Sequence, residues 1–583
     1  MDWRERFRAP AVIYAELARD NPDRGVVITD LDEKYQAYAW DRASGTIDQV
    51  TTSETGVITA AISPKGNFIY TVVDDDPGTE IGHIHRFPFQ SGKSEDVTPE
   101  LDGYTAYNLE ATERGVVALA GIGGKQVLMV VDDEMTRLYE LPALPLDVVV
   151  ASSEEKAAVT LVTPGRGQIP QVRVIDLVSA DVLSERAETL AGAMHEDLVA
   201  VAEVNGDWLR PGIWDGSSLT PLDLDLPGNI VPVDWSDDGE VLLLSQSYRA
   251  KTALHLYDLV SSEVTPLASP SGATYPRGDA ALVDRETALT IWSDASNPWR
   301  VLELTPTDWR VGLELEEQQT FPGPAWEEFT FPSTGGAEIQ GWLLRPEGAG
   351  PWPTVLYTHG GPTSVAGPTF NAIAGAWLDN GFAVASINYR GSTTFGESFR
   401  EALTGNIGGP DIDDVVAARQ WLVENGIADA DRIVKNGYSY GGFLTLQSLG
   451  THPDLWAAGV AGAPIADWAV NYEDSNDILR AYDHSLFGGP PEELPDMYRK
   501  ASPRTYAADF KAPVLISQPE KDSRTPLRQV QVFVDEMKAL GKEVRLEILK
   551  GGHPGAGKEQ WISIVESWLD FARPIVGIDR GQG

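Results

Sequence analysis

The 583-residue chain contains no cysteine, which removes disulfides, thiolate nucleophiles and cysteine metal sites together. It has eight histidines and no H-E-x-x-H pair. His83 and His85 alternate on one strand face, as neighbours in a propeller strand do, and no third ligand is suggested nearby, so no metal is expected. No stretch reaches the roughly eighteen uninterrupted apolar residues of a spanning helix, so no membrane association is expected. The opening Met1-Asp2-Trp3-Arg4-Glu5-Arg6-Phe7-Arg8 interleaves charges and lacks the apolar segment of a secretory signal, which places the expected location in the cytoplasm. Basic residues are outnumbered, 45 Lys and Arg against 87 Asp and Glu, for a net charge of −42. Such a surface repels phosphate backbones, and nucleic acid is not an expected partner. Lysine, scarce beside arginine, fits a salt-rich cytoplasm or an ordinary acidic surface from a GC-rich genome equally well.

What is present divides into blocks, as expected of a length that exceeds one hydrophobic core. In residues 1–20, Phe7, Val12, Ile13 and Leu17 share a helical face and Asn21-Pro22 supplies a stop, so an N-terminal helix packing on another domain is expected. From 21 to 318 short β-rich runs alternate with turns, such as Phe68 to Val73 after Ser63-Pro64-Lys65-Gly66. A strand ending in a turn recurs at Trp40-Asp41, Pro88-Phe89, Val131-Asp132, Ile175-Asp176, Trp214-Asp215, Tyr257-Asp258 and Leu302-Glu303, with 39 to 48 residues between successive instances. That is the period of a four-stranded propeller blade, and seven instances predict an all-β, seven-bladed propeller. After Phe321-Pro322-Gly323-Pro324, read as a linker, residues 319–583 alternate buried strands with helices. The alternation predicts a mostly parallel, doubly wound sheet with its ligands at the strands' carboxyl ends.

One stretch in the last block carries chemistry. Asn436-Gly437-Tyr438-Ser439-Tyr440-Gly441-Gly442 lies between a strand around Arg432-Ile433-Val434 and a helix from Phe443. Glycines two positions before and after Ser439 permit the sharp turn that projects a nucleophilic hydroxyl. Serine needs a base, and the base needs an orienting acid. His452 is thirteen residues along the same helix, about 20 Å away at 1.5 Å per residue, and reads as a helix stop. His484 falls in a polar helical segment before any later strand. His553, on the glycine-rich loop after strand Val544 to Leu549, is the expected base. Asp522, after strand Val514 to Ile516, is the expected acid, with Glu520 as its substitute. Thr358-His359-Gly360-Gly361-Pro362 follows a buried strand and offers one oxyanion donor, and the Tyr440 backbone offers the other. The relay and the amide donors suffice for hydrolysis, so no cofactor is implied.

These segments, with Asn388-Tyr389-Arg390-Gly391-Ser392-Thr393, Ala458 to Gly462, Asp467-Trp468 and Asp522-Ser523-Arg524-Thr525-Pro526, resemble the prolyl oligopeptidase family of serine peptidases, in its acylaminoacyl-peptidase branch. The resemblance spans most of residues 354 to 560 and implies an α/β-hydrolase domain beside the propeller. It makes Ser439 the nucleophile, Asp522 and His553 its partners, and Gly361 and Tyr440 the oxyanion donors. Arg524 would bind or orient the peptide, with a structural ion pair as the equal alternative. Ile465, Leu479 and Tyr482 would line the side-chain pocket, unless they are core. The paired glutamates with which dipeptidyl peptidases of the family hold a free amino terminus are not identifiable. That favours release of N-acylated residues from short peptides, with side esterase activity. The alternatives are a dipeptidyl- or carboxypeptidase-like enzyme, an esterase or amidase on the same scaffold, and a propeller interaction protein with an inactive hydrolase. Pro554 after the histidine departs from the family pattern. Relatives often form homo-oligomers, but the sequence shows no interface signature.

Overall fold

Among the described residues of Pro10–Gln319, seven antiparallel sheets follow one another, six of four strands and the last of five. The structure, a computed structural model, describes residues 2–90, 92–133, 135–141, 144–151, 155–162, 170–274, 280–553 and 557–578. Pro554, where the sequence departs from the family pattern, lies outside them. Each sheet uses consecutive strands, and the leading strands meet in succession: Val12–Ala18, Ala61–Ile62, Thr105–Ala111, Leu144–Ala151, Thr189–His195, Asn229–Trp235 and Ala280–Leu282, the last returning to the first. That closure defines a seven-bladed propeller. Among the described residues, no strand is exchanged across the seam. Val12, Val27, Tyr38 and Trp40 pack there against Leu289, Ile291, Val301 and Leu313. The Val12 amide donates to the Trp299 carbonyl at 2.9 Å, and Arg42 pairs with buried Glu303 at 2.7 Å.

Six of the seven recurring dipeptides fall at the end of a blade's third strand, and Leu302-Glu303 lies within Arg300–Leu304, the fourth of the last sheet's five strands. The reason is local chemistry. Asp41, Asp132, Asp176, Asp215 and Asp258 each accept backbone amides two or three residues ahead, closing the turn into the outer strand. The repeat was therefore visible because it is a capping motif. His83, weighed as a ligand, uses both ring nitrogens, one on Asp75 and one on the Leu101 carbonyl, each at 3.0 Å.

The N-terminal helix expected over residues 1–20 is not what forms. Helix α1 covers only Glu5–Arg8, and Val12–Ala18 is the first propeller strand, paired antiparallel with Asn21–Thr29. The β-branched pair Val12-Ile13 prefers the extended state, and Pro22 stands near the start of the next strand instead of ending a helix. The boundaries shift accordingly. The propeller unit is Pro10–Gln319, and the second unit joins Met1–Ala9 to Thr320–Gly583. The Phe321-Pro-Gly-Pro segment is no loose linker, since Phe321 is fully buried with its ring 5.3 Å from that of Phe370.

The second unit holds an eight-stranded sheet: β1 Glu327–Pro332, β2 Glu338–Leu344, β3 Trp352–Thr358, β4 Ala383–Asn388, β5 Ala428–Tyr438, β6 Ala458–Gly462, β7 Val514–Pro519 and β8 Val544–Leu549. The order is β1-β2-β4-β3-β5-β6-β7-β8, antiparallel through β2/β4 and parallel from β4 onward. Period-two alternation splits adjacent residues between two cores: Leu356, Ile433 and Ile516 face one, and Val355, Val434 and Leu515 the other. The first core is covered by helices α3 (Pro410–Glu424), α4 (Tyr440–Thr451) and α7 (Leu527–Ala539), and the second by α2 (Ala372–Asp379) and α8 (Lys558–Ile575). The remaining helices used below are α5 (Trp468–Asp474) and α6 (Asp477–Phe487). Each large side chain buried on these faces contributes about 1.5–3 kcal/mol. Trp3 joins the second core, and Arg6 donates to Asp379 at 2.8 Å and Arg8 to Glu559 at 2.9 Å.

Candidate active site

Ser439 stands between β5 and α4 with φ 58° and ψ −123°, a conformation that costs a non-glycine residue of order 1–3 kcal/mol. Packing holds it there. A Cβ on Gly437 would meet the Gly441 carbonyl oxygen at 2.3 Å, and one on Gly441 the Thr358 oxygen at 2.1 Å, so both positions require glycine. The turn brings the first amides of α4, which lack intrahelical acceptors, beside the serine. The Tyr440 ring is buried, and its hydroxyl donates to Asp411 Oδ2 at 2.7 Å. Burial pushes the Asp411 carboxyl up to about 7.

The loop after β3 lies against the elbow. A Cβ built on Gly360 would approach Ser439 Cβ to 3.3 Å and Oγ to 3.9 Å, and Gly361 has φ +125°, which favours glycine. His359 anchors this loop and is no base. It is buried, its Nε2 lies 2.9 Å from Ser392 Oγ, its Nδ1 lies 2.7 Å from the Gly360 carbonyl, and its ring stacks on Tyr389 at 4.5 Å. Burial pushes its pKa down to about 4, and Lys435 acts in the same direction.

Asp522 and His553 meet. His553 Nδ1–H donates to Asp522 Oδ2 at 2.7 Å, with both residues buried. The carboxylate also accepts from the amides of Arg524 and Thr525 at 2.9 and 2.8 Å and from Thr525 Oγ1 at 3.0 Å. Four donors on one carboxylate fix its orientation and hence the imidazole tautomer. Glu520 is exposed. Tyr438 carries His553 to the elbow: its hydroxyl donates to the His553 carbonyl at 3.0 Å and the rings are 5.4 Å apart. Ser439 Oγ makes no hydrogen bond among the described residues, so serine and imidazole share one corner without being bonded. His452 caps the far end of α4 and His484 lies in the last turn of α6.

The pocket candidates separate. Ile465 is buried in one core cluster with Tyr440 and Trp468. Tyr482, on α6, packs on that cluster and shares a 2.7 Å hydrogen bond with Thr363 Oγ1, which ties α6 to the loop beside Ser439. Leu479 is half-buried one turn earlier, its amide capped by Asn476. Arg524 is half-buried beside Asp522, and its charge acts on Tyr438. Sequence reasoning assigned no role to Tyr389, Ser392, Asp411, Lys435 or Thr525. Tyr389 and Ser392 lay in a quoted motif, and Lys435 interrupts an apolar strand, a signal that was available.

A propeller preceding a doubly wound sheet, with a strained serine at the sheet's centre and a buried histidine–carboxylate pair beside it, defines a protein of the α/β-hydrolase class. The model of the prolyl oligopeptidase family matches residues 368–577. The chain is 29% identical over 334 residues to the acylamino-acid-releasing enzyme of Sus scrofa, covering 54% of this chain and 45% of that one. It is 31% identical over 261 residues to the uncharacterized peptidase YuxL of Bacillus subtilis, covering 42% and 38%. The chain thus spans about half or less of the length of these relatives. Among solved structures, a puromycin-hydrolyzing peptidase of Mycobacterium tuberculosis superposes with a TM-score of 0.85 at 18% identity, covering 100% of this chain and 97% of that one. The acylaminoacyl peptidase of Pyrococcus horikoshii gives 0.72 at 19%, covering 100% and 98%. Among the described residues, no helix is long and apolar enough to cross a membrane.

Proposed function

We propose that this protein hydrolyses short peptides by acyl transfer through Ser439, and that its main substrates carry a blocked amino terminus, from which it releases the N-acylated residue. The observation that carries the reading is the buried Asp522–His553 pair at 2.7 Å beside a serine held at φ 58°. In this reading His553 Nε2 takes the Ser439 proton as Oγ attacks the scissile carbonyl, and Asp522 stabilises the imidazolium. The amides of Gly361 and Tyr440 receive the oxyanion. The imidazolium then protonates the leaving amine, and water, deprotonated by the same imidazole, releases the acyl group and restores the serine.

The substrate class is supported by the acylamino-acid-releasing enzymes among the curated relatives and by the want of an identifiable glutamate pair for a free amino terminus. Ile465, Leu479 and Tyr482 are the proposed pocket wall, and Arg524 the proposed contact to the peptide. The test is a panel of N-acetylated, free-amino and internally cleavable peptides, nitrophenyl esters and an aminoacyl amide such as puromycin. Highest kcat/KM on acetylated peptides supports the proposal. A preference for free amino termini, or for esters alone, replaces it with the dipeptidyl-peptidase or esterase alternative. Ser439→Ala should fold as the wild type and lose about four to six decades of turnover.

A further inference from the structure

Lys435 is anomalous. It occupies the central strand β5, four positions before Ser439, in register with Leu356 of β3 and Gly459 of β6, where an aliphatic residue would complete the core. It is fully buried, and no carboxylate pairs with it among the described residues. Its Nζ donates to Thr358 Oγ1 at 2.7 Å, to the Asn436 carbonyl at 3.1 Å and to Thr445 Oγ1 at 3.5 Å. Both threonine hydroxyls pass their own protons to a single acceptor, the Gly441 carbonyl, at 3.3 and 2.9 Å. The amine is therefore surrounded by acceptors only, an arrangement that uses three N–H donors and leaves no role for a lone pair.

The residues joined are the ones whose relative placement the reaction depends on. Thr358 is the last residue of β3 before the His359-Gly360-Gly361 loop. Asn436 belongs to the strand that ends at Ser439. Gly441 and Thr445 lie in the first turns of α4, behind the Tyr440 amide. We propose that Lys435 is a positioning residue, a buried three-way tie that holds the nucleophile strand, the oxyanion loop and the α4 N-terminus in one register. This rests on the acyl-transfer reading above. A buried lysine is disfavoured by desolvation, which lowers its pKa and makes the position costly unless the tie returns something. Rate is the return proposed here, since small displacements of oxyanion donors cost turnover more than affinity.

The test is Lys435→Met, which keeps the volume and removes the donors. Active sites are titrated with a fluorophosphonate, and kcat and KM are measured per titrated site. The expected result is a normal melting profile, KM unchanged within about twofold, and kcat and the labelling rate each lower by roughly tenfold or more. A wild-type kcat per titrated site in the folded variant would overturn the proposal, since a merely structural lysine changes only the number of active molecules. If Lys435→Met does not fold, Thr358→Val and Thr445→Val each remove one arm, and each should lower kcat per site by about threefold. Unchanged kcat in both would overturn it equally. A wild-type protein that the fluorophosphonate fails to label would instead refute the serine-nucleophile reading.

Discussion

Asp522 accepts four hydrogen bonds where a turn former would need one or two, and that saturation makes it the most informative residue to change. Asp522→Asn preserves shape but disturbs the tautomer of His553, and kcat should fall by about four decades with KM little affected, as steady-state kinetics on one peptide would show. A second carboxyl makes a prediction about stability. Asp483 is buried on α6, its Oδ2 has no hydrogen-bond partner among the described residues, and burial raises its pKa to about 8. The folded state therefore holds a proton that the unfolded state loses near pH 4. Its contribution is fully present below pH 4 and lost as pH rises toward 8. Asp483→Asn should melt above the wild type at pH 8, and the advantage should shrink as pH falls toward 4. Residue-scale legibility was uneven for a physical reason. Ser439, Asp522 and His553 sit on strand ends flanked by glycine or turn residues, so their candidacy is written locally. Lys435 interrupts an apolar strand, but its contact to Thr358 spans 77 positions and that of Asp411 to Tyr440 spans 29, and no local pattern announces those partners.

At the scale of elements, the elbow depends on close backbone approach. A Cβ added at Gly441 would press on the end of β3, so Gly441→Ala must push the His359-Gly360-Gly361 loop away from Ser439. The expected cost is about 1–3 kcal/mol in chemical denaturation, with kcat falling by tenfold or more, roughly the loss of one oxyanion donor. The strands and helices of the catalytic unit were legible because a doubly wound sheet writes buried strands as apolar runs and helices as periodic ones. Blade count was legible because Asp-capped turns recur in five of the seven blades at matching strand ends. The first strand was misread. Phe7, Val12, Ile13 and Leu17 satisfy a helical spacing, but Val12–Ala18 gains an antiparallel ladder with Asn21–Thr29, interrupted by two register shifts, that periodicity cannot anticipate.

For the whole molecule, the net charge of −42 sets the response to salt. Like charges repel within a Debye length of about 10 Å at 0.1 M, shrinking to about 3 Å at 1 M. The melting temperature should rise by roughly 5 °C or more between those concentrations in sodium chloride. A flat or falling curve would mean that ion pairs such as Arg42–Glu303 outweigh the general repulsion.

The catalytic unit is sewn from both ends of the chain: Trp3, Arg6 and Arg8 meet Asp379, Glu559 and the α8 face. Arg8 thus waits, as the chain is made, for a partner 551 positions later. By then the β-ring between them has every residue it needs, and domains generally fold in order of emergence. A growing polypeptide would thus complete its ring while the second unit still lacks β8 and α8.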